Sequence, residues 1–411
     1  MVVLENNKDT NSFEVFSFRW VVLFLFILVG IINQVIWITF APLTNESALF
    51  YETSDNLILL LAMIFMVVYI PVNYPASRLI DKLGLKWGTG IGVILTGVFG
   101  FLRAIAPNYA WLLVFQIGCA IGQPFILNSF TKVATNWFPE KEKTLATGLG
   151  TLAVLLGAIL GMLLTPIFYD LFNKNFTPVL YIYGGVALAS MAFYLIFVKD
   201  KPPSPPNAYS DKTKIFEIKG TRNLFRNRDF ILLFSLMFIG IGVFNAISSG
   251  VDVLFVFSDE LYAGIIGGLL IIGGVFGAVI LSALSDKFHK RKIFLIIAVT
   301  SSAFLVILFY FIENFIALCI LSFVFGFLLI SALPIALTYA AEITYPIPES
   351  TSNGWMMWAG QISGILLILG VMYLPSVKTN FIIYAVLFAV GIVLTIFMKD
   401  ISEYKHILTE D

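Results

Sequence analysis

Along this chain the apolar positions run in long blocks, with no alternation of period two and no sharp amphipathic stripe. Twelve blocks of about 20 residues or more stand near 18–40, 57–76, 88–106, 110–131, 145–168, 178–198, 230–256, 263–284, 292–311, 315–341, 351–373 and 379–398, separated by short polar stretches. A run of about 20 apolar residues, rising 1.5 Å per residue as a helix, crosses roughly 30 Å of hydrocarbon. Lipid offers no partner to a bare amide, so each block is expected to be a helix. The pattern predicts an all-α membrane protein of 12 transmembrane helices. The first 17 residues are polar and no small-residue cleavage site follows the first block, so that block reads as a retained span rather than a signal peptide.

Composition agrees with the pattern. Of 411 residues, 59% are hydrophobic and 12% charged, about half the charge of a soluble domain, and mean hydropathy is +0.94. A net charge of zero conceals a sidedness. With the N-terminus in the cytoplasm, all of the 25 Lys and Arg residues except Arg103, Lys174 and Lys378 fall on the cytoplasmic side. The positive-inside rule then puts both termini in the cytoplasm and the chain in the cell membrane. Cys119 and Cys319 both lie inside blocks, where apolar packing rather than a disulfide framework is expected.

One polar stretch is longer than the others. Residues 199–229 combine a proline cluster with eight basic and four acidic residues and divide six blocks from six. The expected organisation is a tail at 1–17, a six-helix bundle at 18–198, a cytoplasmic linker at 199–229, a second bundle at 230–398 and a tail at 399–411. A short polar phrase supports the duplication. SRLIDKLGLK, residues 77–86, and SALSDKFHKR, residues 282–291, each join the second to the third block of a half, and internal repeats of this kind underlie many secondary transporters.

These residues resemble the loop motif of the major facilitator superfamily, Gly-x-x-x-Asp-Arg/Lys-x-Gly-Arg/Lys-Arg/Lys. Ser77, Asp81, Lys82, Gly84 and Lys86 follow it, with Ser at the first Gly and Leu85 at one basic position. The second copy keeps Asp286, Lys287 and Arg291. The resemblance implies that superfamily's fold, two pseudo-symmetric six-helix bundles. An Asp at a span's end that accepts hydrogen bonds from a neighbouring helix and pairs with Arg or Lys would latch the halves in one state only.

A second resemblance rests on AEITYPIPESTSNGWMMWAGQISGI at 341–365, GQPFILN at 122–128, ATNWFPEKE at 134–142 and Asn33-x-x-x-Trp37-Ile38 in the first block. Together they look like the feline leukaemia virus subgroup C receptor-related family, which includes choline and ethanolamine transporters and has been proposed to move haem. By that resemblance Trp37, Gln123 and Gln361 fall on substrate-contacting positions. The family's aromatic in the seventh span falls on Asn245, so that wall differs, and Phe244 and Ser248 stand beside it.

Independently of the family, Gln361 and Gln123 lie about ten and thirteen residues into their blocks, near mid-membrane. An amide there faces either another helix or a watery cavity. Trp37, in the outer third of its block, reads equally as an interfacial tryptophan or a ligand contact, while Trp355 and Trp358 read as interfacial. Embedded acids are scarce: Asp252 toward the outer end of the seventh block and Glu342 at the inner end of the tenth are the candidate coupling residues, and both histidines, His289 and His406, fall in cytoplasmic segments. Strong proton coupling is therefore not favoured. Aromatic faces could hold a small quaternary cation by cation–π attraction, worth about 2 kcal/mol when desolvated.

Haem would ask for axial His, Cys, Met or Tyr and basic groups for its propionates, and the blocks hold no His. No metal cluster, phosphate loop or nucleophile–base pair suggests an enzyme. The expected function is a facilitative or weakly coupled carrier of a small organic cation. The alternatives are a carrier of haem or another amphipathic solute, and a non-transporting receptor on the same scaffold. The expected partners are a small-molecule substrate and the lipid bilayer, without cofactor or nucleic acid, and the expected state is a monomer.

Overall fold

The structure is a computed structural model that describes residues 15–204, 220–255 and 259–400. The tails expected at 1–17 and 399–411 and the middle of the 199–229 linker lie almost wholly outside the described residues. Those described are helical, with no strand among them: α1 (Arg19–Ile38), α2 (Thr44–Phe50), α3 (Asp55–Leu102), α4 (Tyr109–Leu127), α5 (Ser129–Trp137), α6 (Glu140–Leu171), α7 (Phe176–Phe197), α8 (Thr221–Leu224), α9 (Arg228–Ser249), α10 (Val251–Leu254), α11 (Glu260–Phe288), α12 (Arg291–Phe311), α13 (Phe315–Thr344), α14 (Glu349–Tyr373) and α15 (Val377–Phe397). A one-turn 3-10 helix, Ala41–Leu43, links α1 to α2.

Eleven segments of the described chain are long and apolar enough to cross a membrane. The count differs from the expected twelve because α3, at 48 residues, contains two of the predicted blocks. Gly84 breaks it, with φ +83 and ψ 177, and the chain folds back so tightly that a Cβ at Gly88 would lie 2.4 Å from the Ile80 Cα. Only glycine adopts that φ at little cost, and a side chain at Gly84 would also strike the Asp200 carboxylate. Each arm is long enough for one span.

The two halves repeat one packing scheme. In the first, α1 packs on α6, α3 on α4, and α3 on α7; in the second, α9 packs on α14, α11 on α13, and α12 on α15. These are the same pairings between equivalent spans, so the protein is two pseudo-symmetric six-helix bundles. Small residues make the crossings close: a Cβ at Gly157 would sit 2.4 Å from the Ile31 carbonyl oxygen.

The face that holds the start of α1, the Gly84 turn and the end of α15 is rich in Lys and Arg; this is the basic face, and the opposite one the far face. Several boundaries depart from expectation on the far face. The seventh span ends at Ser249, and α10 follows as a separate turn, so Asp252 lies beyond the span rather than within its end. The segment after α1, expected as a loop, instead folds into the 3-10 turn and α2.

Candidate functional site

The halves meet toward the far face. Gly264 and Gly268 of α11 lie against Met162 and Leu163 of α6, and Gly364 of α14 lies against Met66 of α3. Distances along the helices put all of these in the far halves of their spans. The buried apolar residues divide accordingly. Ile32 to Ile38 of α1 share a core with the second bundle, whereas Val22 to Val29 belong to a separate core with Leu85, Phe130, Trp137 and Tyr194 of the first bundle. On the basic face the ion pairs Arg19–Glu142, Lys132–Asp81 and Arg291–Glu342 each stay within one half. Among the described residues the bundles are joined at the far face, and these basic-face ion pairs do not cross between them.

Trp37 sits in that joint. It is buried, and its indole Nε1 donates to the Ala62 carbonyl of α3 at 3.2 Å. An interfacial lipid-facing tryptophan is thereby excluded for this state. One turn along α3 from Ala62 is Met66, whose Sδ would lie 2.7 Å from a Cβ at Gly364; the Asn245 amide would lie 2.9 Å from the same point. Trp37, Met66, Asn245 and Gly364 thus form a continuous ceiling built from both halves. Phe244 is half-buried beside it, packed on the same core, and the Ser248 hydroxyl is spent on the Phe244 carbonyl, 2.7 Å away.

Below the ceiling, toward the basic face, stand the two glutamines. Gln361 is one turn before Gly364 on α14 and half-buried; Gln123 on α4 is 7% exposed. Neither side chain has a hydrogen-bond partner among the described residues, although both sit near the middle of their spans. Asn33 lies at a similar depth on α1 but is committed: its Nδ2 donates to Thr96 Oγ1 at 3.1 Å, leaving its buried Oδ1 without a partner. Gly122, next to Gln123, packs directly on Thr96. The structure therefore brings Gln123 to the level of Asn33, and Gln361 to the turn beneath Asn245.

Three groups were not anticipated from sequence. Thr96 is the partner of Asn33. Gln116 is fully buried and donates to the Leu61 carbonyl at 3.0 Å; its spacing of seven from Gln123, two helical turns, was the available signal. Arg103, expected at an outer boundary, is 1% exposed, with its guanidinium 5.1 Å from the centre of the Phe40 ring.

The motif residues lie at the basic face, away from the ceiling. Asp81 pairs with the buried Lys132 of α5 at 2.5 Å, a contact within its own half. Lys82 is exposed, and the Lys86 ammonium lies 5.7 Å from the Trp87 ring centre. The Lys86 backbone N–H donates to Asp200 at 3.0 Å, which explains why the turn at Gly84 has no room for a side chain. In the second copy Arg291 holds both Asp286 and Glu342, the latter at 3.1 Å, and donates to Ser285 at 3.2 Å, while Lys287 is exposed. Glu342 is thus part of the repeated motif cluster. Trp355 is half-buried and engaged within the protein: its Nε1 donates to Thr221 Oγ1 at 3.0 Å and its ring stands edge-on to Phe225 and Trp358.

Comparison with known proteins accords with this architecture. Residues 22–368 match the Major Facilitator Superfamily model. Solute carrier family 49 member A3 of Xenopus tropicalis is 31% identical over 387 residues, covering 89% of this chain and 79% of that protein. The choline/ethanolamine transporter FLVCR1 of Felis catus is 30% identical over 407 residues, covering 93% and 73%. Among solved structures, a bacterial homologue of the human lysosomal transporter Spinster, in an inward-facing and unoccupied conformation, superposes with a TM-score of 0.73 at 14% identity, over 93% of this chain and 97% of that one. The chain is a multi-pass membrane transporter of the major facilitator superfamily, in the branch that contains solute carrier family 49 member A3 and FLVCR1.

Proposed function

We propose that this transporter is a facilitative carrier of a small organic cation of the choline or ethanolamine class, working by alternating access. The observation that carries the reading is the pair of glutamines, Gln123 from one half and Gln361 from the other, at mid-span without a hydrogen-bond partner among the described residues and under a ceiling that contains Trp37. A carrier must contact its ligand from both halves if binding is to bias their closure. Amide oxygens and an aromatic face suit a cation that meets no acidic counter-charge near the middle of the spans, and the FLVCR1 relative is named for choline and ethanolamine. The basic face is taken as cytoplasmic by the positive-inside rule, with both termini there, in the cell membrane. On that assignment the structure's state is inward-open. The carrier is taken to act as a monomer.

Purified protein screened by thermal shift against choline, ethanolamine, haem and organic anions tests the reading, because a ligand stabilises the state it binds. Stabilisation by the amines alone is the expected result. Stabilisation by haem or an anion with none from the amines would replace the proposed substrate class, and stabilisation by nothing, with no uptake in proteoliposomes, would favour a receptor.

A further inference from the structure

The carboxylate of Asp252 belongs to the second half, on α10, but its hydrogen-bond donor belongs to the first: the backbone N–H of Asn45 on α2 donates to Asp252 Oδ2 at 3.1 Å. Asp252 is only 8% exposed at this contact. The charged groups that act on it are Glu46, also on α2, and Asp55, at the start of α3, both acidic and both from the opposite half; none from the 3-10 turn, α9, α11 or α15 acts on it among the described residues. Closing the far face therefore does three things at once to this carboxylate: it removes water, supplies the neutral backbone donors of Asn45 and Thr44, and brings up two like charges.

We propose that Asp252 is a proton-binding gate residue, protonated as the far face closes over it and ionised as the far face opens. The inference rests on the alternating-access reading above, in which the two halves part at this contact in another state. Both influences that oppose ionisation are made by closure and are lost when the halves separate. Burial, with Glu46 and Asp55 adding to it against the opposing Asn45 and Thr44 amides, pushes the carboxyl up to about 7, whereas an open gate returns it to roughly 4. The closed state thus binds the proton more tightly, so closure is favoured as pH falls from about 7 toward 4 and gains nothing more below that. The neutral carboxyl keeps the Asn45 contact, since its carbonyl oxygen still accepts.

Position decides what such a proton can do. Asp252 lies beyond Ser249, on the far side of the glutamines, and its proton enters and leaves from that face in both halves of the cycle. It sets the balance between states without being carried across, so far-side pH tunes the rate of a carrier that no pH gradient drives.

The test is a distance measurement on the full-length protein in lipid nanodiscs, with no substrate added. Spin labels go on Ala110→Cys and Glu313→Cys, exposed far-face positions of the two halves, after replacement of Cys119 and Cys319. A shorter and a longer separation are expected, their ratio rising by up to about tenfold per pH unit as pH falls from about 7 toward 4. Asp252→Asn, which keeps the acceptor and loses the charge, should hold the short separation at every pH. Glu46→Gln, which leaves Asp252 in place, should move the transition to lower pH and serves if the Asn variant does not fold. A ratio that ignores pH in the unsubstituted gate, or the same pH dependence in Asp252→Asn, overturns the proposal, as does a single separation under all conditions. Because no ligand is present, failure of the choline-class reading in the thermal-shift screen leaves this outcome unaffected.

Discussion

Asp81 at the basic end of the first arm of α3 is paired with Lys132 of α5, Nζ to Oδ1 at 2.5 Å, within one bundle. Lys132 is buried, so removing its counter-charge leaves a buried ammonium without its pair. For a fully buried pair that costs about 3–5 kcal/mol; Asp81 is about a quarter exposed, and a cost of roughly 2 kcal/mol is expected of Asp81→Asn. Adding Lys132→Met removes the stranded charge and should restore the melting temperature. Transport separates the two roles of Asp81. If it also latches the opposite half when the basic face closes, the double variant stays slow though stable, whereas recovery of uptake together with stability would leave Asp81 a purely structural partner of Lys132.

Helix crossings in the second bundle are set by glycines with no tolerance. A Cβ at Gly277 of α11 would lie 1.8 Å from the Phe327 carbonyl oxygen of α13, and backbone cannot move aside as a side chain can. Gly277→Val should cost about 1–3 kcal/mol or more by overpacking and be read as lost thermal stability in detergent. Gly148 of α6 is the control, since a Cβ there meets nothing within 4 Å. Gly148→Ala should be neutral or stabilise by up to about 1 kcal/mol through helix propensity. Equal losses at the two positions would show that the crossing does not govern stability.

The blocks of apolar residues were enough to predict the helices and the duplication, because a membrane span is a constraint on length and polarity that the sequence states directly. The Asp81 and Gly84 motif was also legible, but its reasons were not. Gly84 is required by a carboxylate from Asp200, over a hundred residues away, and Asp81 is balanced by Lys132, which belongs to no motif. Hydropathy places Trp37 and Trp355 near span ends, where Trp37 reads equally as interfacial or as a ligand contact and Trp355 as interfacial; only packing reveals that each indole donates to another part of the protein. Similarly, hydropathy does not separate α10 from the seventh span, because Val251, Val253 and Leu254 continue the apolar run beyond Gly250. The amides fared better. A glutamine at mid-span must face a partner or a cavity, and Gln123 and Gln361 have no hydrogen-bond partner among the described residues, which is the observation the proposed site rests on.

Sidedness follows from the distribution of Lys and Arg and can be read with single cysteines. Ser54, between α2 and α3, and Lys290, between α11 and α12, are both exposed and lie on opposite faces. In a background lacking Cys119 and Cys319, Ser54→Cys should react with an impermeant maleimide on intact cells, and Lys290→Cys only after permeabilisation. The reverse pattern would turn the whole assignment over, including the inward-open state.

Substrate recognition is tested best at residues whose removal leaves the fold intact. Trp37→Ala is a poor instrument: the ring is buried, and truncating it would cost about 3–5 kcal/mol of stability before any ligand is considered. Gln361 is half-buried and makes no hydrogen bond to the described chain, so Gln361→Ala orphans nothing and should leave the melting temperature unchanged. It should weaken binding of a choline-class amine by about 1 kcal/mol, roughly fivefold, and by more if the amide oxygen meets the cationic head directly. Gln123→Ala should do the same from the other half. Trp37→Phe keeps an aromatic face and loses only the donation to Ala62, so its effect on binding should be smaller than that of either glutamine if the ring is ceiling alone, and larger if its face holds the cation. Calorimetry on the purified variants measures all three. Unchanged affinity in both glutamine variants, with the unsubstituted protein binding the amine, would remove Gln123 and Gln361 from the site and leave the ceiling of Trp37, Met66 and Asn245 as the place to look for the ligand.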